Sequence, residues 1–225
     1  MERAKQTSES IELGILLALA GGFMDVYSYM ARGGVFANAQ TGNILLVGVH
    51  LSDGDPASSL RYLFPVISFA VGIILTDLIR GRFDNLLHWR QVTVLLEALI
   101  LAGVAFLPGS EDLLANCLTS FACGMQVESF RKIHGRGIAT TMCIGNLRSA
   151  LQSVDDYLLT RRRSALKSGV LYLGVILVFV TGAVLGNWCV SRFGLRAIMG
   201  AAVLLALAFL VMFIDREQDR KQGCG

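Results

Sequence analysis

With 225 residues, 54% of them hydrophobic and only 16% charged, the chain is too apolar for an ordinary soluble domain, in which roughly a quarter of residues carry charge. Its net charge of +3 is small, and its basic residues sit in short loops beside apolar runs. That pattern excludes a nucleic-acid footprint and reads as a membrane-topology signal.

In chain order, the first apolar run is Ile11 to Ala31. Arg3 and Lys5 precede it and it contains Ala18-Leu19-Ala20-Gly21-Gly22, as a signal peptide would. Glu12 interrupts its start and the run belongs to a repeat, so it is read as a retained span. Next comes FANAQTGNILLVG, Phe36 to Gly48, polar at its start and apolar only from Ile44. The turn-rich SDGDPASS, Ser52 to Ser59, follows. Further runs cover Tyr62 to Ile79, Val92 to Leu107, Leu113 to Phe130, Val170 to Val190 and Ala197 to Ile214. Each is near the length of about 20 residues that a helix needs to cross a bilayer. Between the fourth and fifth lies GIATTMCIGNLRSAL, Gly137 to Leu151, a second polar-to-apolar segment with Gly-Asn at its middle.

The two odd segments belong to an internal duplication. A shift of 103 residues lays Gly21 on Gly124, Asp25 on Glu128, Gly34 on Gly137, Gly42 on Gly145 and Asn43 on Asn146. Beyond the next loop a shift of 110 lays Phe69 and Gly72 on Phe179 and Gly182, and Arg82-Phe83 on Arg192-Phe193. The expected organisation is a single membrane domain, 1–225, with a first repeat at 11–108, a second at 112–214 and a tail at 215–225.

Lysine and arginine choose the topology, because cytoplasmic loops collect them. With eight spans the basic residues divide almost evenly. With six spans and two re-entrant segments, one side holds Arg3, Lys5, Arg80, Arg82, Arg90, Arg131, Lys132, Arg136, Arg161 to Arg163, Lys167, Arg216, Arg220 and Lys221. The other side holds only Arg32, Arg61, Arg192 and Arg196. This bias places both termini inside. Three spans per half make the second half inverted, so the two polar segments enter from opposite sides and meet near the midplane, a plan common among transporters and channels.

The central residues define the candidate site. Thr41, Asn43, Asn146 and Arg148 are expected to line a solute path, with Thr41, Asn43 and Asn146 placed to cap the half-helices that follow them. Their other role would be to satisfy helix ends alone. Asp25, Glu128 and Glu97 are ionisable residues inside apolar runs and are expected to couple or gate. Each of Asp25 and Glu128 could instead anchor its own half's glycine loop. Arg148, whose counterpart is Leu45, has three readings: contact with an anionic solute, an ion pair with Glu128 or Glu97, or snorkelling to the inner surface. Asp77, three residues before Arg80, reads as interfacial. Gly21, Gly34, Gly42, Gly124, Gly137 and Gly145 are the expected structural glycines.

Catalytic chemistry has little to stand on. There is no GxSxG, HExxH or Walker sequence, and His50, His88 and His134 lack partners at ligand spacing. The five cysteines form no CxxC pair and read as packing residues, with Cys224 in the tail. No metal, cofactor or nucleic-acid partner is expected. Gly14, Gly72, Gly182 and Gly186 could pack helices within one chain or between copies in a homo-oligomer.

GGFMDVYSYM followed by FANAQTGNILLVG, then LLEALIL and the second-half CGMQVESF, resembles the YoaK-like family of small bacterial membrane proteins, a domain of unknown function. The resemblance runs from about Ile11 to Ile214, and its sharpest motif is Gly22-x-x-Asp25 with Thr41-Gly42-Asn43. Where that family usually has a threonine-glycine pair in the second half, this chain has Ile144-Gly145-Asn146. The resemblance implies a bacterial inner-membrane location and about six helices, and it names no substrate.

The sequence therefore predicts an all-α polytopic membrane protein, with six transmembrane helices and two re-entrant half-helices in a 3+3 inverted repeat. Its expected role is passage of a small polar or anionic solute. The competing reading is a non-transporting scaffold or sensor subunit.

Overall fold

The computed structural model describes residues 10–83, 89–133 and 136–222. Arg3, Lys5, His88, His134 and Cys224 lie outside the described residues, so the structure does not bear on their sequence roles. The described chain is helical almost throughout, relieved by a two-residue antiparallel ladder that pairs Lys132–Ile133 with Arg136–Gly137.

Helix α1 spans Ile11–Ala31, the residues of the first apolar run. Ser10 begins it by accepting a hydrogen bond from Leu13 N at 3.2 Å. It stops where Gly33 and Gly34 take φ of +83° and +78°, a backbone that side chains with a Cβ rarely adopt. An irregular stretch then leads into α2, Gln40–Ser52. Asp55 opens α3, Pro56–Phe83, by accepting from Ser58 N at 3.0 Å. Bonds from the Ser58 hydroxyl and amide hold the Asp55 carboxyl below its ordinary pKa. The chain continues through α4, Trp89–Val104, and α5, Asp112–Ser129. A second irregular stretch precedes α6, Cys143–Thr160, which Arg161 ends in the left-handed conformation. Helix α7 spans Arg163–Phe193, and α8 spans Met199–Gln222 after a 3₁₀ turn. The charged end read as a tail thus prolongs the last helix.

Among the described residues, three helical stretches are long and apolar enough to cross a membrane: Ile11–Ala31, Pro56–Arg82, and Arg163–Met212, which runs from α7 into α8. α4, with 16 residues, and α2, with 13, are shorter; α2 rises only about 20 Å. A bilayer core is roughly 30 Å thick. Burial ranks the long helices. In α1, 61% of the most apolar window is buried; in the Pro56–Arg82 stretch only 28% is. α1 is therefore central, and its Leu13, Leu17, Phe23, Met24 and Tyr27 form the core with Val94, Leu101, Ile198 and Leu205. α3 and α7 present Ile67, Val71, Ile74, Val180 and Val184 outward, the surface that lipid would cover.

Two helix pairs pack through glycine. α1 runs parallel to α7, because Gly182 faces the Leu19 carbonyl and Gly186, one turn on, faces Phe23; Gly22 faces the Phe179 carbonyl at the same crossing. α3 crosses α5 likewise, with Gly124 facing the Phe69 carbonyl and Gly72 the Phe121 carbonyl, and the approach of Arg80 to Glu128 near their ends makes the pair parallel. At each crossing a Cβ would collide with backbone, so these four positions set the closeness of the helices. α4 lies against α8 and closes the core, with Gln91 Nε2 donating to Met212 O at 3.0 Å.

Side-chain bonds fix which helix ends share a side. Arg32, just after α1, reaches the end of α4, the start of α5 and, through Tyr27, the α7–α8 connection. Arg61 at the start of α3 donates to Gly33 O. The end of α1 therefore lies beside the starts of α3 and α5; this is called the upper end. The lower end gathers the ends of α3 and α5, where Arg80 and Glu128 approach within 3.7 Å.

Candidate functional site

The two irregular stretches converge on one residue of α1. From the first, Asn38 Nδ2 donates to Gly21 O at 3.1 Å. From the second, Thr140 O and Thr141 Cγ2 lie so near Gly21 that a Cβ there would stand 3.3 Å from each. One turn earlier, Gln126 of α5 donates to Leu17 O at 3.0 Å and to Thr140 Oγ1 at 3.5 Å. Two side-chain amides thus bind consecutive turns of one helix and draw both stretches to its middle. A Cβ on Gly21 would press on the second stretch and on the Phe179 ring of α7, while the first stretch holds the Gly21 carbonyl.

Asp25 organises the first stretch. Its Oδ1 accepts from Asn38 N at 2.7 Å and from Ala39 N at 3.4 Å, which satisfies amides at the entrance to α2. Asn43 is fully buried and does not cap α2, as the sequence reading had it. The cap position is Ala39, without a side-chain bond. Asn43 instead reaches back: Nδ2 donates to Phe36 O at 2.8 Å and to Gln40 Oε1 at 2.9 Å, and Oδ1 accepts from Phe36 N at 3.0 Å. Asn146 repeats the first of these bonds, donating to Ala139 O at 2.6 Å, while Met142 stands at the cap of α6. Each asparagine braces the irregular stretch ahead of its helix, because a backbone amide and carbonyl at that depth need partners. Gly42 leaves room for the Phe36 ring; Gly137 and Gly145 stand in open space, so close packing explains neither. Thr41 is exposed on α2.

The acids do not behave as a matched pair. The glycine contacts relate α1 to α5 by 102 residues, Gly22 to Gly124 and Leu19 to Phe121, whereas the asparagine braces are related by 103. In the packing register Asp25 falls on Val127. Glu128 is accordingly turned from the centre. It pairs with Arg131 and with Arg80 at 3.7 Å, and Asp77 approaches Arg80 at 3.9 Å and Arg131 at 3.7 Å. Glu97 is fully buried in α4, and neither carboxylate oxygen has a hydrogen-bond partner among the described residues. Gln126 Oε1 and Thr141 Oγ1 share that condition. Arg148 lies exposed on α6 and forms no ion pair with Glu97 or Glu128 among the described residues; Glu128 is paired with other arginines.

Sequence reasoning passed over Arg32, taking it only as an outer basic residue. It is fully buried, and all five of its donors are engaged. Nε meets Tyr27 Oη at 2.8 Å; Nη1 meets Pro108 O at 3.0 Å and Asp112 Oδ1 at 2.9 Å; Nη2 meets Val104 O at 3.1 Å and Leu107 O at 2.9 Å. Asn116 Nδ2 returns a bond to Arg32 O at 2.8 Å. Asn116 and Gln126 carried a legible signal, since polar side chains inside an apolar run normally face protein. Arg32, at the edge of its run, carried none.

No solved structure matches the chain. The chain is 30% identical over 178 residues to the UPF0700 transmembrane protein YoaK of Bacillus subtilis (strain 168), an alignment covering 76% of this chain and 79% of that one. A family model described as a protein of unknown function (DUF1275) matches residues 13–211. On these grounds, and in keeping with its apolar helices, the chain belongs to the DUF1275 family, a family of transmembrane proteins of unknown function.

Proposed function

We propose that the chain carries a small polar solute across the membrane through a centre between the two irregular stretches, with α2 and α6 as re-entrant half-helices of a 3+3 inverted repeat. The glycine contacts support the repeat, because the α1–α7 crossing matches the α5–α3 crossing through shifts of 102 and 110 residues. The Arg32 and Arg61 bonds support the inversion, because they put the start of α5 beside the end of α1. The basic residues Arg80, Arg82, Arg90, Arg131, Arg163 and Lys167 fall at the lower end, which is then cytoplasmic.

The observation that carries the transport reading is the convergence on Gly21 together with unpartnered acceptors at Glu97, Gln126 and Thr141. A purely structural centre would satisfy such groups, since each one left unpaired costs about 1–3 kcal/mol. The chain buries the carboxyls of Asp25 and Glu97, while Arg148 is exposed. A neutral or cationic solute therefore suits it better than the anion that Arg148 suggested. The scaffold reading draws on a different observation: Asn43 is wholly engaged with its own chain.

Two measurements test this. In a cysteine-free background, Ser58→Cys and Ser164→Cys label from opposite sides of the membrane; labelling from one side overturns the inverted repeat. In proteoliposomes, uptake screened across small neutral and cationic solutes is abolished by Gly21→Leu and altered by Glu97→Gln. If no solute is taken up by wild-type protein of verified topology, the scaffold reading stands.

A further inference from the structure

An apolar groove of about 230 Å³ opens on the outer surface between α1 and α7. Gly14 and Ile15 line it from α1, and Val170, Gly174, Val175 and Val178 from α7. Gly174 stands in its open floor: a Cβ there would meet nothing within 4 Å. The two helices run parallel and both begin at the lower end, so the groove lies in the lower half of the bilayer.

The same face of α7 continues toward that end with positive charge. Arg163, Lys167, Val170, Gly174 and Val178 are spaced by four, three, four and four residues, which places them in one stripe on a helix. Arg163 and Lys167 are exposed, and Arg161 and Arg162 stand exposed at the preceding corner. Glu12, exposed on α1, is the acid nearest the groove in sequence, and by helical spacing it lies about a quarter turn off the groove's face. The equivalent stripe 110 residues earlier is Asp53, Ala57, Leu60, Phe64 and Ser68. There a ring replaces the missing side chain and both cations are gone, so the feature belongs to the α7 side alone.

We infer that this groove binds one anionic glycerophospholipid of the lower leaflet, an acyl chain lying over Gly174 and the phosphate held by Arg163 and Lys167. The apolar channel supplies a chain-shaped surface and the cations supply charge complementarity at the depth of the headgroups. The inference needs the lower end to face a leaflet with anionic lipid and does not depend on the transport reading.

The test uses the full-length protein in nanodiscs of phosphatidylcholine with one quarter phosphatidylglycerol, and counts retained lipid by native mass spectrometry. Wild type retains phosphatidylglycerol selectively. Gly174→Leu fills the groove and lowers retention several-fold, whereas Gly103→Leu, at another open position, leaves it unchanged. Arg163→Gln and Lys167→Gln each lower the preference about fivefold. Millimolar glycerol phosphate does not displace the lipid; full displacement means that the site takes free phosphate, and the lipid inference fails. Equal retention of both lipids by wild type, or wild-type retention by Gly174→Leu, also overturns it. Should Gly174→Leu not fold, phosphatidylglycerol with a photoreactive acyl chain is crosslinked to wild type. Label on residues 170–178 supports the site, and label elsewhere overturns it.

Discussion

The upper and lower ends of the molecule are tied by opposite kinds of chemistry. Above, one fully buried arginine joins α1, α4 and α5, with Asp112, its carboxylate partner, 34% exposed. Below, Asp77, Arg80, Glu128 and Arg131 join α3 to α5 through ion pairs in which only Glu128 is buried. A charge in low dielectric is held strongly when all its partners are present and is costly when one is removed. Exposed pairs are screened by water and salt. The upper end is therefore the firm junction and the lower end the soft one.

The largest effect that would break this comparison belongs to Arg32. Arg32→Met takes the arginine donor from Asp112, from the Val104, Leu107 and Pro108 carbonyls and from the Tyr27 hydroxyl, and is expected to cost about 3–5 kcal/mol. Thermal unfolding in detergent should show a large loss of stability or of folded yield; a stability near wild type would mean that the upper end is no firmer than the lower. Next come the braces. Asn43→Ala removes three bonds from the stretch entering from the upper end and should cost about 1–3 kcal/mol. Asn146→Ala, on the stretch entering from the lower end, should cost less, and the difference between the two melting temperatures measures the asymmetry. The smallest effect is at Asp77, whose side chain is 63% exposed. Asp77→Asn should change stability by less than about 1 kcal/mol, and molar salt should erase the difference. Hydrogen exchange compared at low and high salt sharpens the same point: amides near Arg131 should respond, and those near Arg32 should not.

Much of the architecture was legible because a membrane restricts the choices. Backbone in hydrocarbon must be hydrogen-bonded within helices, so apolar runs become helices at the lengths that the bilayer sets. The run Ile11 to Ala31 became α1 residue for residue, and the two Gly-Asn segments became irregular stretches followed by α2, of 13 residues, and α6, of 18. The candidate site was legible only in part. Asp25, Asn43 and Asn146 bond the two irregular stretches, and the asparagines brace backbone where capping was expected.

By itself the sequence determined the order of apolar and polar segments, the glycines able to bring helices together and the uneven sharing of basic residues. These are local quantities, readable from periodicity, composition and spacing. The tertiary structure alone decided the register. A difference of one residue between the helix crossings and the asparagine braces separates Asp25 from Glu128, directing one to the first irregular stretch and the other to the ion pairs of the lower end. It also decided that Arg32 is buried while Arg148 is exposed, although both adjoin apolar sequence. A side chain's neighbours across a helix crossing come from distant parts of the chain, and whether a charge is satisfied or stranded depends on those neighbours.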